Sequence, residues 1–224
     1  MGCLNVTPDS FSDGGQHDAI DAGRAHAAAM LEAGAAIIDI GGESTRPGAA
    51  ATFEDEEIRR IVPAVEYCAS MGAAISLDTR RAGVLAAGLA AGAHMANDVS
   101  ALRYDPRSIE VVASAACPVI LMHAPGAGED LHAGGTYADV VSEVFDFLKS
   151  ARAKAIAAGI AEDRIAHVLQ RGVRGDERVQ GHGIGLATPL DHAQRGSQVC
   201  LTMDRPHAPP LRGSLPPEGA PAAL

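Results

Sequence analysis

The chain has 224 residues, of which 47% are apolar and only 3% are aromatic, and it contains no tryptophan. Its core must therefore consist of aliphatic side chains, which is typical of parallel α/β folds whose strands are buried on both faces. A formal net charge of −10 and the shortage of aromatic residues argue against a nonspecific nucleic-acid-binding protein, which needs a basic surface and often stacking side chains.

The cysteines and the hydropathy pattern indicate the compartment. Cys3, Cys68, Cys117 and Cys200 stand far apart and form no Cys-x-x-Cys pair, so free thiols in a reducing compartment are favoured over disulfides or structural zinc. No apolar run reaches the ~18 residues that span a bilayer, and the N-terminus lacks the pattern of a signal peptide. We therefore expect a cytoplasmic protein without a membrane partner.

Short apolar runs alternate with helical patterns along most of the chain. Strands are predicted over residues 1–6, 37–40, 73–78, 93–98 and 118–123. Helices are predicted over about 18–32, from about 52, and over about 79–92, 106–115 and 137–159. Pro63 should kink or split the second helix. The alternation predicts right-handed βαβ crossovers and a parallel sheet, either in a (β/α)₈ barrel or in an open doubly wound sheet.

The alternation weakens after Ala166. Residues 160–166 predict the start of a sixth strand, whereas the following segment is rich in Gly, Pro and Arg and has no apolar period, which is typical of loops or disorder. We therefore predict a domain of five to six βα units over residues 1–166 and an aberrant, disordered tail over residues 167–224. Within that tail, residues 199–203 can make one short strand.

A Gly-rich loop follows the second predicted strand, with the sequence Gly41-Gly42-Glu43-Ser44-Thr45-Arg46-Pro47-Gly48. Glycines let the backbone approach a ligand and leave N–H groups free to point at it. The hydroxyl groups of Ser44 and Thr45 add donors, and the guanidinium of Arg46 suits phosphate oxygens. The loop is either an anion-binding site or an ordinary turn with a surface arginine.

Every other predicted strand also ends in polar side chains. These are Asn5 with the loop 7–13, then Asp78 with Arg80, Asn97 with Asp98, and His123. Because ligands bind at the C-terminal ends of parallel strands, we expect these side chains to share one rim. Alternative roles are local: Asp78 can cap a helix, Asn97 and Asp98 can close a turn, and His123 can be structural.

Together these motifs resemble the dihydropteroate synthase family. The segment Met1-Gly2-Cys3-Leu4-Asn5-Val6-Thr7-Pro8-Asp9-Ser10-Phe11-Ser12-Asp13-Gly14-Gly15 is similar to the family's first signature, and residues 41–48 are similar to its second. Shorter matches follow in the same order at residues 76–80, 97–100 and 122–123. The resemblance covers about residues 1–166.

The resemblance implies a (β/α)₈ barrel of the TIM-barrel type, incomplete in this chain, that acts as a transferase in folate biosynthesis. The implied reaction condenses a dihydropterin pyrophosphate with p-aminobenzoate to dihydropteroate and pyrophosphate. Thr45 and Arg46 would hold the pyrophosphate or order the loop over it. Asp78 and Asn97 would hydrogen-bond the edge of the pterin ring, and Met122 would pack against the ring.

The same resemblance implies a lid, a metal ion and an assembly. The lid over the amine site would contain Thr7, Asp9, Phe11 and Ser12. Asn5 would be a ligand of Mg²⁺, and an amide oxygen suits such a hard cation. A homodimer would form if the full barrel exists.

Four later motifs of the family are absent after Ala166: Asp-Pro-Gly, Gly-Phe-Gly-Lys, Ser-Arg-Lys and Arg-x-His. We therefore expect little or no synthase activity from the chain as written. One alternative is an inactive pterin-binding fragment, which would bind a pterin without turnover. The other is a pterin-dependent methyltransferase domain, which the two long signatures disfavour and which would not bind p-aminobenzoate analogues beside the pterin.

Overall fold

A computed structural model describes residues 1–7, 16–44, 52–126, 128, 131, 133, 136–170 and 198–201. The elements in chain order are β1 Gly2–Asn5, α1 Gln16–Glu32, β2 Ile37–Gly41, α2 Glu54–Ser70, β3 Ala74–Asp78, α3 Ala82–Ala90, β4 Met95–Asp98, α4 Ser108–Ala115, β5 Val119–Met122, α5 Val140–Ala157, a 3₁₀ turn Glu162–Arg164, β6 Ile165–Gln170 and β7 Gln198–Leu201. The five predicted strand–helix units are confirmed in order, and a sixth strand follows them.

The strands form one sheet whose spatial order is the same as the sequence order, from β1 to β7. The first six strands are parallel to their neighbours, and β7 is antiparallel to β6. A doubly wound sheet reverses its strand order at a switch point, whereas a barrel winds in one direction. The unbroken order of the six parallel strands therefore favours the barrel over the open sheet.

The two faces of the sheet carry two separate apolar clusters. The outer cluster joins outward strand residues such as Ile38, Ile75 and Leu121 to buried residues from all five helices. The inner cluster is smaller and contains no helix residue; its buried members are Val99, Ile120, Met122, Ala124, Leu131 and Val168. Helices on one face only are a further property of a barrel, whose inner face is filled by strand and loop side chains.

Helix α2 is continuous through Pro63, so of the two predicted effects of this proline the split is wrong and the kink stays a prediction. Pro63 lies on the exposed side of α2, where the hydrogen bond it cannot make costs least. The opposite side buries Ile61, Val65 and Cys68, all with no exposed surface. Packing of that side holds the helix together across the proline.

Helix α5 runs from Val140 to Ala157, within the predicted range of about 137–159 but two to three residues shorter at each end. The side chain of Asp139 accepts hydrogen bonds from the N–H groups of Val141 and Ser142, and the chain leaves the helix through Gly159, whose φ is +95°. Three apolar side chains of this helix remain exposed: Val140, Val141 and Phe145 are 45%, 56% and 57% exposed. None of the described helices is long and apolar enough to cross a membrane.

The end of the chain is described only in part. β6 continues to Gln170, and Gln198–Leu201 form a strand close to the predicted 199–203. The predicted disorder of the tail is therefore wrong for residues 167–170, which form the end of β6, and residues 171–197 and 202–224 lie outside the described residues. The division of the chain at residue 166 stays a prediction.

Candidate functional site

Four predicted rim positions stand side by side across the sheet. The register pairs Asn5 with Gly41, Gly41 with Asp78 and Asp78 with Asn97. Each of these residues is at or next to the C-terminal end of its strand, and the strands are parallel, so the predicted convergence at one edge is confirmed for them. Gly41 has no side chain beside Asp78, where a Cβ atom would lie in van der Waals contact with Oδ2 of Asp78, at 3.5 Å.

The next row toward the barrel interior contains an acidic residue that the sequence analysis did not single out. Asp39 pairs in register with Cys3 and Ser76 and is only 3% exposed. The amide nitrogen of Asn97 lies 3.2 and 3.1 Å from the two carboxylate oxygens of Asp39 and donates to them. Burial raises the pKa of Asp39, and the bond from Asn97 offsets part of this effect. Asp39 therefore orients Asn97.

Asp78 is half-buried, and the negative charges of other acids act on its carboxyl group. Burial raises its pKa well above the usual value, and the negative charge of Asp39 adds to the effect. The alternative role of Asp78 as a helix cap is excluded, because the residue that precedes α3 is Arg81. An acid held at this position can accept hydrogen bonds from ring N–H and amino groups once it is ionised.

Asp98 has the local role that the sequence analysis gave as its alternative. Its Oδ1 accepts from the backbone N–H of Ser100 at 2.7 Å and from the Ser100 hydroxyl at 2.6 Å. Asp98 is 1% exposed, and burial raises its pKa to about 6. Asp98 thus closes the turn after β4, whereas Asn97 points to Asp39 on the inner side of the sheet.

The start of the Gly-rich loop is fixed by two sets of contacts. Gly42 packs so closely on α2 that a Cβ atom would come within 2.7 Å of Ile61, and its carbonyl oxygen accepts from Arg60 at 3.2 Å. Glu43 is ion-paired with Arg80 and Arg81, at 2.8 and 2.9 Å. Arg80 was expected at the rim, but neither its pairing with Glu43 nor the part of Arg81 was predicted.

Met122 is 5% exposed and belongs to the inner apolar cluster, on the side of the barrel expected for a ring contact.

His123 packs instead against two aromatic side chains. Its ring centroid lies 5.7 Å from that of Tyr137 and 4.7 Å from that of Phe147. Burial lowers the pKa of His123, and the positive charge of Arg103 lowers it further. These contacts favour the structural role of His123.

Five of the predicted site residues lie outside the described part of the chain: Thr45, Arg46, Asp9, Phe11 and Ser12. Thr7 is described and half-buried just beyond β1. The roles given to these six residues stay predictions, as do the ligand contacts of Asp78, Asn97 and Met122.

Asn5 is the predicted magnesium ligand and is exposed at the end of β1. Within the described residues, no group of three or more His, Cys, Asp or Glu side chains is placed to hold a metal ion. Mg²⁺ nevertheless needs few protein ligands, because it keeps several waters and often binds substrate phosphates. One exposed amide oxygen at the rim is compatible with that kind of site.

Comparison with known proteins places this geometry in a family. Residues 1–192 match the sequence profile of the pterin binding enzymes. The dihydropteroate synthase of Escherichia coli K12 is 43% identical over 166 residues, which are 74% of this chain and 58% of that protein. The enzyme of Neisseria meningitidis serogroup B is 42% identical over 195 residues, or 86% of this chain and 64% of that protein. The chain thus spans less than two thirds of the length of these relatives.

Solved structures give the same result. Dihydropteroate synthase from Xanthomonas albilineans with 4-aminobenzoic acid has 46% identity and a TM-score of 0.68, over 75% of this chain and 59% of that one. The same enzyme in complex with 7,8-dihydropteroate has a TM-score of 0.65. These neighbours are TIM barrels, so the predicted (β/α)₈ type is confirmed, with six parallel strands present in the described residues. By sequence profile, by relatives and by fold, this chain belongs to the pterin binding enzyme family.

Proposed function

We propose that this chain carries the pterin half of a dihydropteroate synthase site. The reaction joins a dihydropterin pyrophosphate to p-aminobenzoate and releases pyrophosphate. The observation that carries the proposal is the polar cluster at the C-terminal edge, where Asp39, Asp78 and Asn97 stand beside the start of the Gly-rich loop. Relatives at 42–43% identity that are named dihydropteroate synthases support the choice of substrate.

The proposed reaction is a substitution at the methylene carbon of the pterin. The amine nitrogen forms a bond to that carbon, the bond from carbon to pyrophosphate oxygen breaks with its electron pair, and the amine loses a proton. The protein must therefore hold the ring still and hold the leaving group in line. Asp78 accepts hydrogen bonds from the ring, Asn97 is oriented toward it by Asp39, and Met122 contacts the ring face.

The Gly-rich loop binds the leaving group, which is pyrophosphate. Thr45 and Arg46 bind pyrophosphate oxygens, because a hydroxyl donor and a forked cation match them. Thr7, Asp9, Phe11 and Ser12 contribute to the amine site. Mg²⁺ bound at Asn5 would supply positive charge to the departing pyrophosphate, with the remaining ligands coming from water and phosphate oxygens.

We also propose a cellular compartment and an oligomeric state for the protein. Cys3, Cys68 and Cys117 are free thiols, which supports a reducing compartment such as the cytoplasm. A homodimer of the complete barrel is part of the proposal and would be measured by light scattering.

The decisive experiment separates binding from turnover on the purified chain. Isothermal titration with a dihydropterin pyrophosphate measures binding, and chromatographic detection of dihydropteroate after p-aminobenzoate is added measures turnover. We expect pterin binding that is weakened at least tenfold by Asp78→Asn and unchanged by Asp146→Asn, which removes an exposed acid of α5. Product formation supports the synthase, binding without product supports the pterin-binding fragment, and absence of binding contradicts both.

A further inference from the structure

The carboxylate of Glu43 is held from two sides. Arg80 donates from Nε to one oxygen at 2.8 Å and from Nη2 to the other at 3.1 Å. Arg81 donates from Nη2 to the second oxygen at 2.9 Å. The Glu43 side chain is only 6% exposed. Burial alone would raise the pKa of Glu43, but the two arginines together lower it below the usual value, so the group is ionised.

The two arginines are themselves fixed by other loops of the same rim. Arg81 donates to buried Glu57 of α2 at 2.7 Å. Arg80 donates to the carbonyl oxygen of Gly128 at 2.9 Å, and its guanidinium lies 4.0 Å from the ring centroid of Tyr104. Glu43 is thereby linked to segments that follow β3, β4 and β5. We call Glu43, Glu57, Arg80 and Arg81 the rim ion network.

Both guanidinium groups of the rim ion network are paired with carboxyl groups. The network therefore supplies little net charge to attract an anion. Its effect is geometric, because bidentate arginine–carboxylate pairs hold both partners in a fixed orientation. Glu43 stands directly before Ser44, Thr45 and Arg46 in the sequence. The network therefore fixes the position of Glu43, the residue from which the rest of the loop continues.

We propose that Glu43 is a positioning residue that sets the affinity of the Gly-rich loop for the pyrophosphate group. The proposal rests on the proposed function, because it takes a pyrophosphate-bearing pterin as the ligand. Glu43 itself does not touch the ligand. It acts by presenting the segment after it, and Arg80 and Arg81 act by holding Glu43.

The first test needs no ligand. Hydrogen exchange followed by mass spectrometry on the full chain compares wild type with Glu43→Gln, in a peptide that covers residues 37–44. The substitution places an amide N–H₂ against two guanidinium groups, so we expect at least threefold faster exchange in that peptide. Exchange in peptides from α4 and α5 should not change. Equal exchange in the 37–44 peptide would overturn the proposal, whatever the chain binds.

The second test measures two affinities, one for inorganic pyrophosphate and one for a pterin without pyrophosphate. Glu43→Gln should weaken pyrophosphate binding at least tenfold and change pterin binding less than twofold. An equal loss for both ligands would mean that Glu43 only supports folding. Tighter pyrophosphate binding would mean that Glu43 only neutralises the arginines. Either of these results overturns the proposal.

Glu162→Gln is the matched control. Glu162 also pairs with an arginine, Arg152, but it lies in the turn before β6, at the opposite end of the sheet. Neither affinity should change in this variant.

A second variant keeps the proposal testable if Glu43→Gln does not fold. Arg81→Lys keeps the charge but loses the fork that reaches Glu43 and Glu57 at once. It should reduce pyrophosphate affinity threefold or more and leave pterin affinity unchanged. A wild-type chain that binds neither ligand contradicts the proposed function, whereas faster exchange in Glu43→Gln would still support the positioning role.

Discussion

At the scale of single residues, Asp39 and Asp78 place two carboxyl groups on the same inner face of neighbouring strands. The charge of Asp39 raises the pKa of Asp78, after the larger effect of burial. Only the ionised form of Asp78 accepts hydrogen bonds on both oxygens. Binding of a pterin should therefore strengthen as the pH rises through the pKa of Asp78.

The variant Asp39→Asn tests this coupling. Loss of the negative charge should lower the pKa of Asp78 and move the midpoint of the pH profile for pterin affinity to lower pH. Affinity at high pH should fall as well, because Asn97 loses a charged acceptor. The profile is measured for wild type and variant by fluorescence titration with the same pterin at several pH values. The ligand's own titration then cancels in the comparison of the two proteins. An unmoved midpoint would refute the coupling, and Asp146→Asn is the control.

Asp98 gives a prediction about stability. Its pKa is about 6, raised from an ordinary value of 3.8 by burial. The folded state thus favours the protonated acid, so this contribution is fully present below pH ~4 and is lost as the pH rises through ~6. A shift of about two pKa units corresponds to on the order of 2–3 kcal/mol. Urea unfolding should show a smaller loss of stability between pH 5 and 7 in Asp98→Asn than in wild type, and parallel curves would contradict this.

The sequence revealed some site residues and concealed others for a physical reason. Asp78 and Asn97 were predictable because each ends an apolar run. Asp39 lies inside such a run, and only strand alternation, with Ile38 and Ile40 pointing outward, signals that it faces the barrel interior. The partners of Glu43 stand 37 and 38 residues later, and no local pattern shows an ion pair over that distance.

At the scale of secondary structure, α5 shows how a local signal sets a boundary. Asp139 accepts from two N–H groups at the start of the helix, and Glu143 accepts from the N–H groups of Ala138 and Asp139 at 2.7 and 3.0 Å. These bonds satisfy donors that the first turn of a helix leaves unpaired. The sequence predicted this helix from its apolar spacing and from the glycine after it, whereas the capping role of Asp139 was not predicted.

Asp139→Ala should destabilise the chain by about 1 kcal/mol, because a capping side chain is lost from the first turn of α5. Thermal and urea unfolding followed by circular dichroism measure the change. Asp146→Ala is the control, since it removes an exposed acid from the middle of the same helix. Equal stability of the two variants would mean that the cap contributes nothing.

Other elements were predictable in kind but not in detail. The sequence predicted a kink or a split of α2 at Pro63, but no split occurs, because burial of Ile61 and Val65 outweighs the bond that proline cannot make. The antiparallel pairing of β7 with β6 has no counterpart in the sequence pattern. Pairing direction depends on contacts between segments far apart in the chain, and hydrophobic periodicity does not report those contacts.

At the scale of the whole molecule, the sheet separates stability from function. The outer face joins every strand from β1 to β6 to the five helices through aliphatic contacts. The inner face is polar on β2 and β3, with Asp39, Ser76 and Asp78, and apolar on β5 and β6, with Ile120, Met122 and Val168. A flat heterocycle with a polar edge and two apolar faces suits that inner surface.

Leu121 and Met122 test this separation because they are neighbours on β5 and point to opposite faces. Leu121 is fully buried in the outer cluster, and Met122 is 5% exposed in the inner one. Leu121→Ala should cost 2–5 kcal/mol of stability, roughly the range for deleting a buried aliphatic side chain, and leave the pterin Kd of the folded protein unchanged. Met122→Ala should cost about 2 kcal/mol, near the lower end of that range, and weaken pterin binding several-fold.

Urea unfolding and pterin titration give a stability change and a pterin Kd for each of the two variants. Together these four values show whether the outer face stabilises the fold and the inner face binds the ligand. Met122 has few aliphatic neighbours in the small inner cluster. Truncation of its side chain should therefore affect ligand binding more than stability. If Leu121→Ala also weakens the pterin in proportion to its loss of stability, then the two faces are one cooperative core. Pterin binding at the inner face would in that case depend on the rigidity of the whole sheet, and Met122 would have no specific contact with the ring.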